Sequence, residues 1–209
     1  MRHLLSAVAL SFLVGCGSPS TATAGTVAAP SLQEGQAEAV FAGGCFWCME
    51  KPFDVIDGVI STTSGYTGGA ETAPTYEEVA YHRTSHYEAM RVVYDPEKVS
   101  YAQLLSVFWH NVDPTQDSGQ FCDKGDQYRT AIFTSDAGEI EVAKQSKIEA
   151  AAALSAEIVT PILPAAIFWE AEDYHQDFYK KNPTHYKRYR LGCGRDRRLS
   201  ELWGADAGH

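Results

Sequence analysis

The most constraining stretch of this chain is a junction. Ala37-Glu38-Ala39-Val40-Phe41 favours a short strand, Gly43-Gly44 interrupts it, and Cys45 opens a segment that suits a helix to Phe53, with Gly58 beyond its end. A strand turning through two glycines into a helix leaves the helix's first N–H groups unpaired. Cys45 stands among them, at the positive end of the helix dipole. There a thiol is expected to fall below its free pKa of about 8.5 and become a nucleophilic thiolate. The competing reading is a cysteine that merely packs beneath the turn.

The segments that follow alternate irregularly between the two periodicities. Gly58 to Tyr66 suggests a strand, Pro74 to Val79 a short helical turn capped by Thr75, and Glu88 to Tyr94 an alternating strand. Ser100 caps a helix through Trp109, Arg129 to Thr134 reads as a strand, and Ser135-Asp136 caps a helix ending near Leu154. Ile158 to Leu163 and Ala166 to Trp169 read as short strands, and Ala171 to Lys181 as a final helix stopped by Asn182-Pro183. The basic, aromatic, glycine-punctuated stretch from Tyr186 to Trp203 reads as a tail that wraps the domain. This order predicts an α+β or split βαβ sandwich in one domain over 37–203, followed by a tail over 204–209. At 209 residues with 44% hydrophobic and 21% charged residues, the chain suits one packed domain. A formal charge of −10 disfavours non-specific nucleic-acid binding.

The N-terminus has a different character. Met1-Arg2-His3 is basic, Leu4 to Val14 is apolar and too short to span a bilayer as a mature helix, and Leu13-Val14-Gly15-Cys16 resembles a bacterial lipobox. That resemblance implies a signal peptide over 1–15, cleavage before Cys16, and a lipid on its sulfur. Residues 17–36, rich in Ser, Thr, Ala, Gly and Pro, then read as a flexible tether. The expected location is the bacterial cell envelope, facing the periplasm, with the membrane contacted only through the lipid.

Cys45, Cys48, Cys122 and Cys193 remain. Four cysteines in an exported domain can be two structural staples. The C-x-x-C spacing and the glycine-flanked Cys193 favour redox chemistry instead. Zinc is disfavoured, because no second C-x-x-C or His-Cys pair completes a ligand set, and the donors Cys122, Asp123, His110 and His175 have no recognised ligand spacing. Glu88 shares its strand face with Met90, Val92 and Tyr94, which places a carboxyl on the apolar side. Burial there raises its pKa, and it can then act as a general acid; a frayed, solvated strand end is the alternative. Phe46 and Trp47 are bulkier than the residues that let a thioredoxin-type pair close readily, and they suit a pocket for an apolar group.

Several motifs together carry a family resemblance. They are Gly43-Gly44-Cys45-Phe46-Trp47, Ser64-Gly65-Tyr66-Thr67-Gly68-Gly69, Pro74-Thr75-Tyr76-Glu77-Glu78-Val79, His86-Tyr87-Glu88-Ala89 and Arg91-Val92-Val93-Tyr94-Asp95-Pro96. Phe108-Trp109, Asp126-Gln127-Tyr128-Arg129 and Ala171-Glu172-Asp173-Tyr174-His175-Gln176 continue the series. In this order the chain resembles a type A peptide methionine sulfoxide reductase over roughly residues 38–182. The resemblance implies a ferredoxin-like α+β fold and reduction of methionine S-sulfoxide, free or in proteins. It makes Cys45 the nucleophile, Glu88 the acid that protonates the sulfoxide oxygen, and Tyr76 and Tyr128 hydrogen-bond donors to that oxygen. It assigns Phe46 and Trp47 to the methyl group on sulfur and Asp123 to a polar position of the site. The chain is expected to hold no cofactor or metal and to draw its electrons from thioredoxin or another dithiol.

Cys48 departs from the pattern, since many members of that family have glycine there. Two thiols can therefore resolve the Cys45 sulfenic acid. Cys193, in the tail where family resolving cysteines are commonly found, is preferred; Cys48, three residues along the helix, is the alternative, and a relay through both stays open. Arg195-Asp196-Arg197-Arg198 makes the tail unlike the usual one, and Cys122 receives no role. Two other classes compete: a thioredoxin-type thiol–disulfide oxidoreductase, disfavoured by Phe46-Trp47, and a non-catalytic lipoprotein stapled by disulfides.

Overall fold

The structure, a computed structural model, describes residues 31–208. The apolar run, Cys16 and most of the expected tether lie outside the described residues. In chain order the elements are β1 (Ala37–Gly43), α1 (Phe46–Asp54), β2 (Val59–Thr67), α2 (Tyr76–Ala80), β3 (Tyr87–Tyr94) and α3 (Tyr101–His110). The two-residue strands β4 (Gly119–Gln120) and β5 (Asp123–Lys124) follow, then β6 (Thr130–Thr134), α4 (Ala137–Leu154), β7 (Ile162–Pro164) and β8 (Trp169–Glu170). The chain finishes with α5 (Phe178–Lys181), α6 (Pro183–Gly192) and α7 (Arg195–Trp203).

Six strands form one mixed sheet in the order β7-β6-β1-β3-β2-β8, with only β6 and β7 parallel. β1 is central, with Phe41 opposite Met90 on one side and Ile132 on the other. Alternation along the strands sends Phe41, Met90, Val92 and Ile132 to one face, where they meet Phe53 of α1, Leu104, Leu105 and Phe108 of α3, and Ala143 and Ala150 of α4. Phe41 lies between Phe53 and Phe108, with ring centroids 5.4 and 5.2 Å away. Each such ring stabilises the fold by about 1.5–3 kcal/mol through burial alone. Ala42, Ala89, Ala131, Phe133 and Phe168 form a smaller cluster on the other face. Helices gathered on one face of a largely antiparallel sheet give the α+β class expected from the sequence.

The helix starts follow local chemistry. Thr75 and Ser100 each complete a capping box, with Glu78 and Gln103, and Asp136 accepts from the Glu139 amide.

Three expectations for the C-terminal part are corrected. The strands expected over 158–163 and 166–169 shorten to β7 and β8. Of the helix expected from Ala171 to Lys181, only α5 forms. The preceding residues stay irregular because their side chains complete distant backbone: Gln176 accepts from Ser64 N and donates to the Ser64 and Ala171 carbonyls, while Glu172 accepts from Tyr76 N. The wrapping tail is itself helical. Pro183 ends α5 and starts α6 as its first residue, where the missing N–H costs nothing. Leu199 and Arg195 of α7 are buried, and Gly208 donates its N–H to His110 O at 2.7 Å, so the chain remains docked as far as Gly208.

Candidate active site

Cys45 is the N-cap of α1, and the turn before it depends on both glycines. Gly44 has φ +81°, and a Cβ there would meet Gln120 Cβ at 2.6 Å; a Cβ on Gly43 would run into the Met49 side chain. Close packing at Gly44 also lays the β4–β5 hairpin, and with it Asp123, beside Cys45.

Cys45 is only 6% exposed, and Glu88 is 2% exposed. Glu88 projects from β3 on the same face as Met90 and Val92, as its alternation predicts. The Phe46 N–H, the first of α1, donates to Glu88 Oε2 at 3.1 Å. Burial pushes the Glu88 carboxyl up to about 8, against the opposing effect of that N–H, so the group is mainly protonated at neutral pH.

The thiol pair differs from the sequence expectation. Burial, the hydrogen bond with Cys48 and the nearby Glu88 hold the Cys45 thiol well above its ordinary value. Cys48 is lowered to about 6, first by the hydrogen bond from Cys45, against burial, and then by Arg195 and Arg190. The helix start therefore does not leave Cys45 as a lone thiolate, because burial opposes its ionisation. Of the two thiols, Cys48 is the one shifted toward its thiolate and Cys45 the one shifted away from it.

Tyr76, at the start of α2, and Tyr128, at the end of the 3-10 turn Asp126–Tyr128, are half-buried. Burial, then Glu88, pushes the Tyr76 phenol up to about 12 and that of Tyr128 higher still. Both stay protonated donors beside Glu88 and Cys45. Phe46 is buried against Tyr66 and His175, with ring centroids at 6.0 and 5.0 Å. Trp47 is partly exposed, stacks on Phe178 at 3.7 Å, and donates Nε1–H to His175 Nδ1 at 3.0 Å. Burial lowers the His175 pKa to about 4, which leaves a neutral ring free to accept. Asp123 Oδ2 accepts from Tyr189 OH at 2.5 Å.

Cys193 is disulfide-bonded to Cys122, and the two sulfurs lie 3.9 and 3.7 Å from Asp123 carboxylate oxygens. Cys48 is the free thiol beside Cys45. Among the described residues Cys122, Asp123 and Cys193 form the cluster of metal-type donors, but two of these sulfurs are bonded to each other. His110 packs on Trp203 and His175 on Trp47, so neither histidine joins them.

Sequence reasoning gave no role to His175, Tyr189 or Arg195. His175 lies within a quoted motif. Tyr189 and Arg195 belong to the tail, whose sequence carries no apolar stripe to signal an inward face.

A family model described as peptide methionine sulfoxide reductase matches residues 37–207. Peptide methionine sulfoxide reductase MsrA 2 of Rhizobium meliloti is 52% identical over 166 residues, covering 79% of this chain and 83% of the relative. Among solved structures, methionine sulfoxide reductase A of Corynebacterium diphtheriae superposes with a TM-score of 0.66 at 36% identity, over 78% of this chain and 81% of that one. Mxr1 from Saccharomyces cerevisiae in reduced form gives 0.67 at 28% identity, over 71% and 87%. The chain belongs to the peptide methionine sulfoxide reductase family.

Proposed function

We propose that this chain reduces the S epimer of methionine sulfoxide, free or within proteins, to methionine. One observation carries the reading: a buried thiol, Cys45, and a carboxyl kept protonated by burial, Glu88, are joined through the Phe46 amide. Sulfoxide sulfur is electrophilic, but its oxygen leaves only once protonated. Cys45 sulfur attacks the sulfoxide sulfur and passes its proton to Cys48. Glu88 protonates the oxygen, with Tyr76 and Tyr128 hydrogen-bonding to it as charge develops. Trp47, oriented by His175, and Phe46 form the apolar wall for the methyl group, and Asp123 orients Tyr189 at the edge of the site. Methionine leaves and Cys45 carries the hydroxyl as a sulfenic acid.

In this reading Cys48 resolves it, supported by its being the free thiol beside Cys45. Its sulfur attacks Cys45 sulfur, an S–S bond forms, the S–O bond breaks, and water leaves. A thioredoxin-like dithiol then reduces the disulfide. A relay that continues to Cys193 is the second reading. Inner thiols free and outer cysteines bonded is the state such an exchange would reach, and exposed Cys122 is open to a protein reductant.

The lipobox-like Leu13-Val14-Gly15-Cys16 supports lipid anchoring of the enzyme to the bacterial envelope. Loss of fatty-acid labelling in Cys16→Ser tests that part. Turnover of separated methionine sulfoxide epimers tests the activity. The S epimer should be reduced by wild type and not by Cys45→Ser; turnover of the R epimer alone, or an undiminished variant, would overturn the reading.

A further inference from the structure

The chain has a formal charge of −10, yet from Phe178 to Arg195 it contains no Asp or Glu. Six of its 17 Lys and Arg fall in that stretch, at 180, 181, 187, 188, 190 and 195. Three of them are already engaged. Lys180 is bridged to Asp54 and Asp177 at 2.7 Å, Arg190 to Asp196 at 2.6 Å, and Arg195 is buried against the Gly43 and Asn111 carbonyls. Lys181 and Arg188 are exposed, and neither forms an ion pair with any described residue. Lys181 Nζ donates to the Asp173 carbonyl at 3.0 Å. The Arg188 guanidinium makes no hydrogen bond or ring contact within the described residues.

Both free cations line a groove of about 860 Å³, together with Asn182, Thr184, His185 and Tyr189. No carboxylate lines it. The groove shares two walls with the active site. The His185 and Tyr189 rings each meet the Trp47 indole edge-on, with centroids 5.8 Å away. Tyr189 OH also donates to Asp123. A chain whose oxidised side chain rests against Trp47 therefore passes directly to His185. Arg188 follows His185 one helical turn later, about 5.4 Å along α6. An extended segment covers the combined distance of about 11 Å in roughly three residues.

We propose that this groove receives the segment of an oxidised protein that flanks the methionine sulfoxide, and that Lys181 and Arg188 select acidic side chains in it. This rests on the reading of the Trp47 site as the sulfoxide pocket. An unengaged guanidinium can hold a carboxylate through two parallel N–H donors, and the ammonium adds a second point charge. Both cations are exposed, so each pair is weak and screened by salt. Their effect is selectivity among protein substrates rather than tight binding. A substrate no larger than methionine sulfoxide itself does not reach the groove.

The test compares kcat/KM for peptides that carry methionine S-sulfoxide flanked on both sides by Glu, by Gln or by Lys, with dithiothreitol as reductant. At low salt wild type should favour the Glu peptide over the Gln peptide by ~5–10-fold, and about 0.5 M NaCl should remove most of that preference. The double variant Lys181→Glu, Arg188→Glu should abolish or invert it, with uncharged N-acetylmethionine sulfoxide amide still turned over at the wild-type rate. Lys187→Glu changes an exposed cation outside the groove and should keep the preference. Equal kcat/KM for the Glu and Gln peptides in wild type overturns the proposal, and that comparison needs no variant to fold. So does a preference that survives in the double variant, or one lost equally in Lys187→Glu. A double variant impaired only with a protein reductant would assign the groove to that reductant instead, and would also overturn it. Labelled peptides with norleucine in place of methionine sulfoxide give the same comparison by fluorescence anisotropy, without turnover. Absence of sulfoxide turnover on every substrate defeats the reductase reading, while the anisotropy still decides the groove.

Discussion

The Phe46 N–H donates to Glu88 Oε2, which ties that buried carboxyl to the backbone of the residue following Cys45. Any displacement of the β1–α1 turn therefore moves acid and thiol together. Cys45 gains less from its helix start than the sequence suggests because the same packing buries its thiol.

Glu88→Gln keeps the shape and the amide contact but has no acidic proton. Its single-turnover rate on methionine S-sulfoxide should fall by about 10²–10⁴, the usual contribution of a general acid. In wild type the chemical step should weaken as pH rises through about 8, where Glu88 ionises. Stability shares the sign. Glu88 at about 8 and Glu50 at about 7 bind protons more tightly folded than unfolded, each mainly through burial. Their contribution is complete below the unfolded carboxylate pKa and is lost as pH rises through those folded values. Thermal unfolding should show a falling Tm from about pH 5 to about pH 8.5, and a Glu50→Gln, Glu88→Gln double variant should flatten that slope.

Trp47 is held by the hydrogen bond to His175 and by stacking on Phe178. His175→Phe keeps the packing and removes the acceptor. Kinetics on N-acetylmethionine sulfoxide should show kcat/KM reduced by about tenfold, in line with loss of one buried hydrogen bond of roughly 1–1.5 kcal/mol. Unchanged kcat/KM would mean that packing alone orients the indole.

The cysteines separate by trapping after one turnover without reductant. Cys48→Ser should release one equivalent of methionine and leave a Cys45 sulfenic acid that a dione reagent captures. Cys193→Ser should still form the Cys45–Cys48 disulfide, read by peptide mass mapping. Sulfenic acid accumulating in Cys193→Ser instead would make Cys193 the resolving thiol.

Gly44→Ala should destabilise the fold by at least about 1–2 kcal/mol, the cost of a left-handed conformation for a residue with a Cβ. The close approach to Gln120 adds to it. Denaturant melts give the value, and activity should fall further than stability because Cys45 and the Asp123 hairpin meet at this turn.

Much of the fold was legible because its causes are local. The Gly43-Gly44 junction, the caps at Thr75, Ser100 and Asp136, and the alternation that turns Glu88 towards Met90 and Val92 all depend on neighbours in the chain. The segment from Ala171 to Asp177 was misread as helix because its polar side chains are committed to Ser64 and Tyr76 about a hundred residues away. The tail helices α6 and α7 lacked a legible apolar stripe, since arginines at 190 and 195 occupy inward positions that periodicity reserves for apolar residues.

The sequence by itself determined that a cysteine would follow a glycine turn at a helix start, and that a carboxyl would be carried on an apolar strand face. Those are properties of short stretches with fixed geometry. Tertiary structure alone decided that Cys48 is buried beside Cys45, that Cys122 meets Cys193, and that a buried guanidinium from α7 reaches the Gly43 and Asn111 carbonyls. Charge and protonation depend on which groups are desolvated together, and that is set by packing between segments far apart in the chain.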